Sequence, residues 1–210
     1  MKQLTSQFGY SLVEVLVSIS ILMIAIIGPI TIAVQGIKSS AFTLQQNTAS
    51  FLAQEGLEAV FSLRNDYALQ ELDGTVTDGW LAFRQHLDKS GSGPCVFLPV
   101  PSTSDPSSKE CKFGLSFNST GNLIMTSDEC LLGSADNKCL LYRDTANAPF
   151  VYAHDNTGTP TPYTRIITVT VYDHFGRSRM SIESEVFWTS SVFSGVEQQV
   201  KVYSMIFDLI

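Results

Sequence analysis

The amino-acid sequence predicts an α+β fold in which a long N-terminal helix packs on a C-terminal antiparallel β-sheet. An uncharged apolar run begins close to the N-terminus, and apolar residues at helical spacing continue from it to about residue 63. Segments rich in β-branched residues with alternating polarity follow after residue 165. Because a half-buried sheet needs a covering layer, we expect the amphipathic part of the helix to supply it.

The apolar run extends over Val15–Ile37, about 23 residues without a charged side chain. A helix of that length is about 35 Å long, because each residue contributes about 1.5 Å. The hydrocarbon core of a bilayer is about 30 Å thick. We therefore predict a membrane-spanning segment at about 12–36. It forms the first half of one long N-terminal helix at 10–64, which we call the spine helix.

Apolar residues with spacings of 3, 4 and 7 continue the helical pattern beyond the membrane. They are Phe42, Ala49, Leu52, Ala53, Val60 and Leu63. No proline interrupts residues 30–65, so this half of the helix, at about 42–63, is predicted to cover the sheet.

Gly28-Pro29 predicts a kink or local unwinding within the apolar run, because proline removes a main-chain hydrogen bond and clashes with the preceding turn. An ordinary transmembrane proline kink explains this pair equally well.

A globular domain is expected over residues 65–210. Asp78 is expected to cap a short helix that carries Trp80, Phe83 and Leu87, and residues 89–110 are expected to form a loop. The predicted strands are Lys112–Phe117, Leu123–Thr126, Arg165–Asp173, Ser178–Trp188 and Gln199–Ile210.

A short motif precedes the apolar run: Gly9-Tyr10-Ser11-Leu12-Val13-Glu14. A carboxylate at the edge of a membrane span is costly, so Glu14 is a functional candidate. Alternatively, Glu14 lies in the headgroup region, where the helix dipole favours a negative charge. The glycine, the aromatic residue, the hydroxyl residue, the two aliphatic residues and the acid together resemble the processing site of type IV prepilins and type II secretion pseudopilins.

This resemblance implies that a prepilin peptidase cuts between Gly9 and Tyr10 and methylates the new N-terminus. Tyr10 departs from the usual phenylalanine at that position. Residues 1–9 would be the leader peptide, and Glu14 would pair with the N-terminal amine of a neighbouring subunit. The implied partners are other pilin or pseudopilin subunits in a helical filament, an inner-membrane assembly platform and the lipid bilayer. The implied fold is pilin-like, and in pilins the helix around Gly28-Pro29 is thought to loosen on assembly. The run Leu12–Val17 looks most like minor pilins and minor pseudopilins.

Charge and length favour a retained anchor over a cleaved secretory signal. Lys2 and the free amine precede the span, which favours an N-terminus inside and a C-terminal domain outside. A secretory signal has a shorter apolar region followed by a small-x-small cleavage site, and neither feature fits here. The alternative to a filament subunit is a membrane-anchored binding or enzymatic domain with an uncleaved signal anchor.

The four cysteines lie outside the predicted span, at Cys95, Cys111, Cys130 and Cys139. An even number in an exported domain suits two disulfides, for which three pairings exist. Proximity along the chain favours Cys95–Cys111 with Cys130–Cys139, and buried thiols are the alternative.

Composition and motifs argue against enzymatic, metal-binding or nucleic-acid-binding chemistry. The chain has 13 Lys+Arg and 20 Asp+Glu, a net charge of −7, whereas binding nucleic acid requires clustered cations. The three histidines (His86, His154 and His174) form no metal-ligand spacing. Asp136-Asn137-Lys138 and Asp155–Gly158 carry oxygens that could bind calcium, but turn formation explains both. We expect no catalytic residues, no metal and no cofactor.

Overall fold

A computed structural model describes residues 11–88, 97–99, 108–117, 123–126, 139–144, 151–154, 158–174, 177–190 and 195–208. The helices are α1 (Leu12–Leu72) and α2 (Gly79–Leu87). The strands are β1 (Leu98–Pro99), β2 (Lys109–Phe117), β3 (Leu123–Thr126), β4 (Leu140–Asp144), β5 (Val151–Ala153), β6 (Thr159–His174), β7 (Arg177–Thr189) and β8 (Glu197–Phe207). The chain divides into two compact units, Met1–Leu44 and Gln45–Ile210. The α+β prediction, a long apolar N-terminal helix with a C-terminal antiparallel sheet, is confirmed.

The first unit contains the apolar part of α1, and every described residue from 11 to 41 is exposed. The hydroxyls of Ser18, Ser20 and Thr31 donate hydrogen bonds of 2.8–2.9 Å to the carbonyl oxygens four residues earlier in the helix. Their polar groups are therefore satisfied within the helix, as a lipid environment requires.

In the second unit, α1 continues past the predicted end of the spine at residue 64 and reaches Leu72. Residues 65–72 contain neither glycine nor proline, so nothing local stops the helix. Tyr67 packs against the hydrophobic core, and this contact stabilises the additional turns of α1. The helix ends before Gly74, whose φ of 81° is in the left-handed region that favours glycine.

The sheet is antiparallel and built around the long strand β6. One side of β6 pairs with β2 and β4, and the other side pairs with β7, which in turn pairs with β8. At the outer side, β1 and β3 pair with β2, and β5 pairs with β4. The predicted strands Lys112–Phe117 and Leu123–Thr126 are confirmed and pair with each other as β2 and β3. The three predicted C-terminal strands are confirmed as well. The short strands β1, β4 and β5 were not predicted, and β1 lies within the stretch that was expected to be loop.

One face of β7 is buried against α1, as its alternating pattern predicted. Met180, Ile182, Val186 and Trp188 are all 3% exposed or less. Four members of the predicted stripe are buried, whereas Phe42 and Leu63 are half-buried. The buried residues of α1 are Ala49, Leu52, Ala53, Gly56, Ala59 and Val60. The amphipathic half of the helix therefore covers the sheet within this unit.

Helix α1 approaches the sheet closely at Gly56. A Cβ atom at this position would lie 2.7 Å from Ser184 Oγ and 2.8 Å from Ile167 Cδ1. Both distances are shorter than non-bonded atoms tolerate, so the main chain of α1 approaches the sheet where a side chain is missing. Ser184 is the small member of the buried row on β7, which makes room for the helix on the other side of the contact.

Helix α2 has the predicted cap. The Asp78 carboxylate accepts a hydrogen bond of 2.7 Å from the main-chain N–H of Leu81, and Phe83 and Leu87 are completely buried. The Glu71 carboxylate, at the end of α1, accepts a hydrogen bond of 3.0 Å from the N–H of Gly79. Two acidic side chains thus satisfy donors at the start of α2 and join it to α1.

Candidate processing and assembly site

Glu14 lies in the first turn of α1, where its exposed side chain precedes the apolar surface of the first unit. Its main-chain N–H donates a hydrogen bond of 2.9 Å to the carbonyl oxygen of Ser11. The positive end of the helix dipole favours a carboxylate at this position. The carboxylate is therefore placed where it can accept a hydrogen bond from a cationic group outside its own helix.

Gly9 and Tyr10 lie outside the described residues. The described chain begins at Ser11, so cleavage between Gly9 and Tyr10 and methylation of Tyr10 remain predictions from the sequence. The pairing of Glu14 with the amine of a neighbouring subunit also remains a prediction, because it involves a second chain.

The first unit displays a continuous set of exposed apolar side chains. Those of the helix between its first turn and residue 37 are Val15, Leu16, Val17, Ile19, Ile21, Leu22, Met23, Ile24, Ile26, Ile27, Ile30, Ile32, Val34 and Ile37. By length and composition this helix is able to cross a membrane, and none of its apolar window is buried within the protein. An apolar surface of this extent requires lipid or other apolar helices around it.

Helix α1 continues without interruption through Gly28 and Pro29. A Cβ at Gly28 would have no atom within 4 Å, so no packing contact within the described chain requires glycine there. The kink predicted for Gly28-Pro29 remains a prediction.

Among the described residues of the second unit, the most buried charged group is Arg165 of β6, which is 1% exposed. Its guanidinium donates hydrogen bonds to the main-chain carbonyl oxygens of Leu52, at 2.9 Å, and of Leu115. Nη1 also lies 3.4 Å from Oε2 of Glu55. Burial lowers the pKa of Arg165, and Glu55 partly opposes that change. The group therefore joins α1, β2 and β6 instead of presenting a charge to a ligand.

The sequence analysis placed Arg165 in a strand but assigned it no role. The alternation of the strand contained a usable signal, because Arg165 shares its face with Tyr163 and Ile167, which point towards the core. A charged residue on the buried face of a strand needs several hydrogen-bond acceptors, and main-chain carbonyl oxygens supply two of them.

The described residues contain no cluster of three or more histidine, cysteine or acidic side chains that could bind a metal ion. His154 is nearly buried, with Nδ1 3.1 Å from the carbonyl oxygen of Leu140. His86 is partly buried, with its ring 5.5 Å from that of Tyr67, instead of simply solvated as a surface helix would leave it. Residues 136–138 and 155–157, whose oxygens were considered for calcium, lie outside the described residues.

Cys111 and Cys139 are buried and disulfide-bonded. Cys95 and Cys130 lie outside the described residues. The pairing of Cys95 with Cys111 and of Cys130 with Cys139 therefore remains a prediction.

These features define a class of protein: an α+β unit that follows an exposed apolar N-terminal helix with an acid in its first turn. Residues 4–28 match the family model of the prokaryotic N-terminal methylation motif, which is the type IV prepilin-like leader. The predicted resemblance of this segment is thereby confirmed. No curated protein and no solved structure matches the chain.

The motif implies processing by a prepilin peptidase and assembly with other pilin subunits. It suggests a structural subunit instead of an enzyme. The motif and the apolar helix together fit a protein anchored in the inner membrane.

Proposed function

We propose that this chain is a structural subunit of a type IV pilus or a type II secretion pseudopilus, in the minor pilin or minor pseudopilin class. A prepilin peptidase removes residues 1–9 and methylates Tyr10. Before assembly, the subunit is anchored in the inner membrane with its N-terminus on the cytoplasmic side and its globular domain on the opposite side. The assembly platform then adds it to the filament.

The match of residues 4–28 to the methylation motif supports this proposal most strongly, because the matched segment includes the first part of the exposed apolar surface of α1. In a membrane, lipid covers that surface. In a filament, the apolar helices of neighbouring subunits cover it instead. Glu14 then pairs with the amine of Tyr10 in a neighbour, because a carboxylate without a partner in that apolar bundle would be strongly unfavourable.

Intact-mass measurement and N-terminal peptide mapping of the chain from the membranes of its own host test the proposal. We expect a mature chain that begins at Tyr10 and is heavier by one methyl group. The control is the same chain from cells without prepilin peptidase, which should retain residues 1–9.

A chain that keeps Met1–Gly9 in the presence of an active peptidase would overturn the proposal. The helix would then be an uncleaved anchor, and function would return to the second unit as a binding or enzymatic domain. Recovery of the mature chain in sheared filaments would further support assembly.

A further inference from the structure

The apolar surface of the first unit ends at a lysine. Ile37 is 71% exposed, and the residues that follow it, Lys38, Ser39 and Ser40, are polar and exposed. Between residues 11 and 63, all of which the structure describes, Lys38 is the only lysine or arginine. The end of the apolar surface and this single cation therefore occupy the same turn of α1.

No neighbour within the helix accounts for the charge of Lys38. A helical side chain contacts the residues three and four positions away. At these positions stand Val34, Gln35, Ala41 and Phe42, none of which is acidic. The helix continues to residue 72, so the negative end of its dipole does not lie near Lys38 either. The ammonium is therefore available to an anion outside the helix.

The orientation of the helix in the membrane does not account for Lys38 either. Lysine and arginine favour the cytoplasmic side of a membrane span. In the orientation proposed above, Lys2 lies on that side, whereas Lys38 lies on the opposite side. Lys38 opposes the charge rule that sets the orientation, so its position calls for a different explanation.

The length of the helix places Lys38 at the level of the lipid headgroups. Glu14 and Lys38 are 24 positions apart in the sequence, which corresponds to about 36 Å of helix at about 1.5 Å per residue. The hydrocarbon core is about 30 Å thick, and the headgroup region adds about 5–7 Å on each side. A helix centred in the core carries the Cα atom of Lys38 about 3 Å beyond the hydrocarbon. The flexible stem of the lysine then lets the ammonium reach the phosphates.

We propose that the ammonium of Lys38 binds the phosphate of a phospholipid in the outer leaflet of the inner membrane and thereby fixes the depth of α1 in the bilayer. Phosphate is the anion present at this level, and an ammonium is a compact point charge that suits it. Movement outwards would expose Ile37 and its apolar neighbours to water, and movement inwards would bring the charge into hydrocarbon. The proposal rests on the proposed function for the orientation that puts this end of the span outside.

Solid-state NMR of the full chain in bilayers of phosphatidylethanolamine and phosphatidylglycerol tests the contact. The lysine ammonium groups carry ¹⁵N, and their signal is dephased by any ³¹P nucleus nearby. Every sample carries Lys2→Gln, because Lys2 would meet the phosphates of the other leaflet. We expect dephasing of the ammonium signal, and Lys38→Gln should reduce the dephased fraction about fivefold.

Two controls accompany this measurement. Lys112→Gln removes a lysine of the second unit whose ammonium lies 2.9 Å from Glu110, and it should leave the dephasing unchanged. Bilayers of galactolipid contain no phosphate, so the chain with Lys38 should show no dephasing in them. Dephasing insensitive to Lys38→Gln, or a Lys38 ammonium in contact with a carboxylate of a second copy instead of phosphorus, would overturn the proposal.

The depth of the helix is measured separately, through a cysteine introduced at Ala41 and labelled by a membrane-impermeant maleimide. Lys38→Glu should raise the labelling rate about fivefold, because phosphates repel the carboxylate and the helix moves outwards. Lys38→Arg keeps the cation and should restore the rate of the unaltered chain. Equal rates for Lys38→Glu and Lys38→Arg would show that this residue does not set the depth.

Failure of this contact is distinguishable from failure of the proposed function. A chain processed at Tyr10 whose Lys38 shows no phosphate contact would overturn the contact and leave the pilin assignment intact. A chain that keeps residues 1–9 and still shows the contact would support the contact and overturn the assignment.

Discussion

Arg165 donates a hydrogen bond of 2.9 Å from Nη1 to the carbonyl oxygen of Leu52, and this bond joins the central strand of the sheet to α1. The same guanidinium donates to the carbonyl oxygen of Leu115 on β2. Arg165 is 1% exposed, whereas Glu55, its ionic partner, is 38% exposed. The stabilising contribution should therefore come mainly from the two buried carbonyl oxygens and less from the ion pair.

Replacing Arg165 by Met should lower the free energy of unfolding of the second unit by about 2–4 kcal/mol. Methionine fills much of the space but donates no hydrogen bond, so the carbonyl of Leu115 loses this donor. Thermal denaturation of the full chain in detergent micelles, followed by near-ultraviolet circular dichroism, measures the change.

The control for this prediction is Glu55→Gln, which removes the ionic partner and keeps the guanidinium. It should cost less than about 1 kcal/mol, because a partly exposed ion pair contributes little. Equal losses for Arg165→Met and Glu55→Gln would show that the ion pair, and not the pair of carbonyl bonds, holds the helix.

The sequence predicted those parts of the fold in which one face is buried. Apolar residues repeat about every 3.6 residues along the stripe from Phe42 to Leu63 on α1, and every 2 residues along the row from Met180 to Trp188 on β7. These repeats predict which face of each element is buried. Asp78 was also predictable, because its carboxylate caps α2 through a local contact.

Other features depend on contacts that are distant in sequence. The strands β4 and β5 are short, with five and three residues, and the pairing of β4 with β6 fixes its position in the sheet. The last turns of α1 depend on the packing of Tyr67. Glu14 was predictable from a local motif, whereas the role of Arg165 depends on the carbonyl oxygens of Leu52 and Leu115, which are far from it in the chain.

Replacing Gly56 by Ala should destabilise the second unit by about 1–3 kcal/mol, because the new Cβ would overlap Ser184 Oγ and Ile167 Cδ1. The matched control is Gly36→Ala on the same helix, where a Cβ would meet nothing within 4 Å. Alanine favours a helix more than glycine does, so this control should be neutral or slightly stabilising. The same denaturation measurement compares the two variants, and equal effects would contradict the close approach at Gly56.

The stability of the second unit should decline as the pH falls below about 6.5, in part through His86. Burial lowers the pKa of His86 in the folded chain. The unfolded chain therefore takes up the proton first, and stability is lost between the unfolded pKa and the lower folded one. His86→Phe keeps an aromatic ring beside Tyr67 and removes the titration. The midpoint temperature of the variant should fall less steeply between pH 7 and pH 5 than that of the unaltered chain, and identical slopes would rule out this contribution of His86.

Replacing Glu14 by Gln should prevent the chain from entering filaments and leave its insertion into the membrane intact. The amide has nearly the shape of the carboxylate but no charge, so it cannot neutralise the amine of a neighbouring Tyr10 in the apolar bundle. Immunoblots of sheared filaments and of the membrane fraction measure the two steps separately. Glu58→Gln, an exposed carboxylate on the same helix beyond the apolar segment, is the matched control and should assemble normally. Recovery of Glu14→Gln in filaments at the level of the Glu58→Gln control would show that assembly does not depend on this charge.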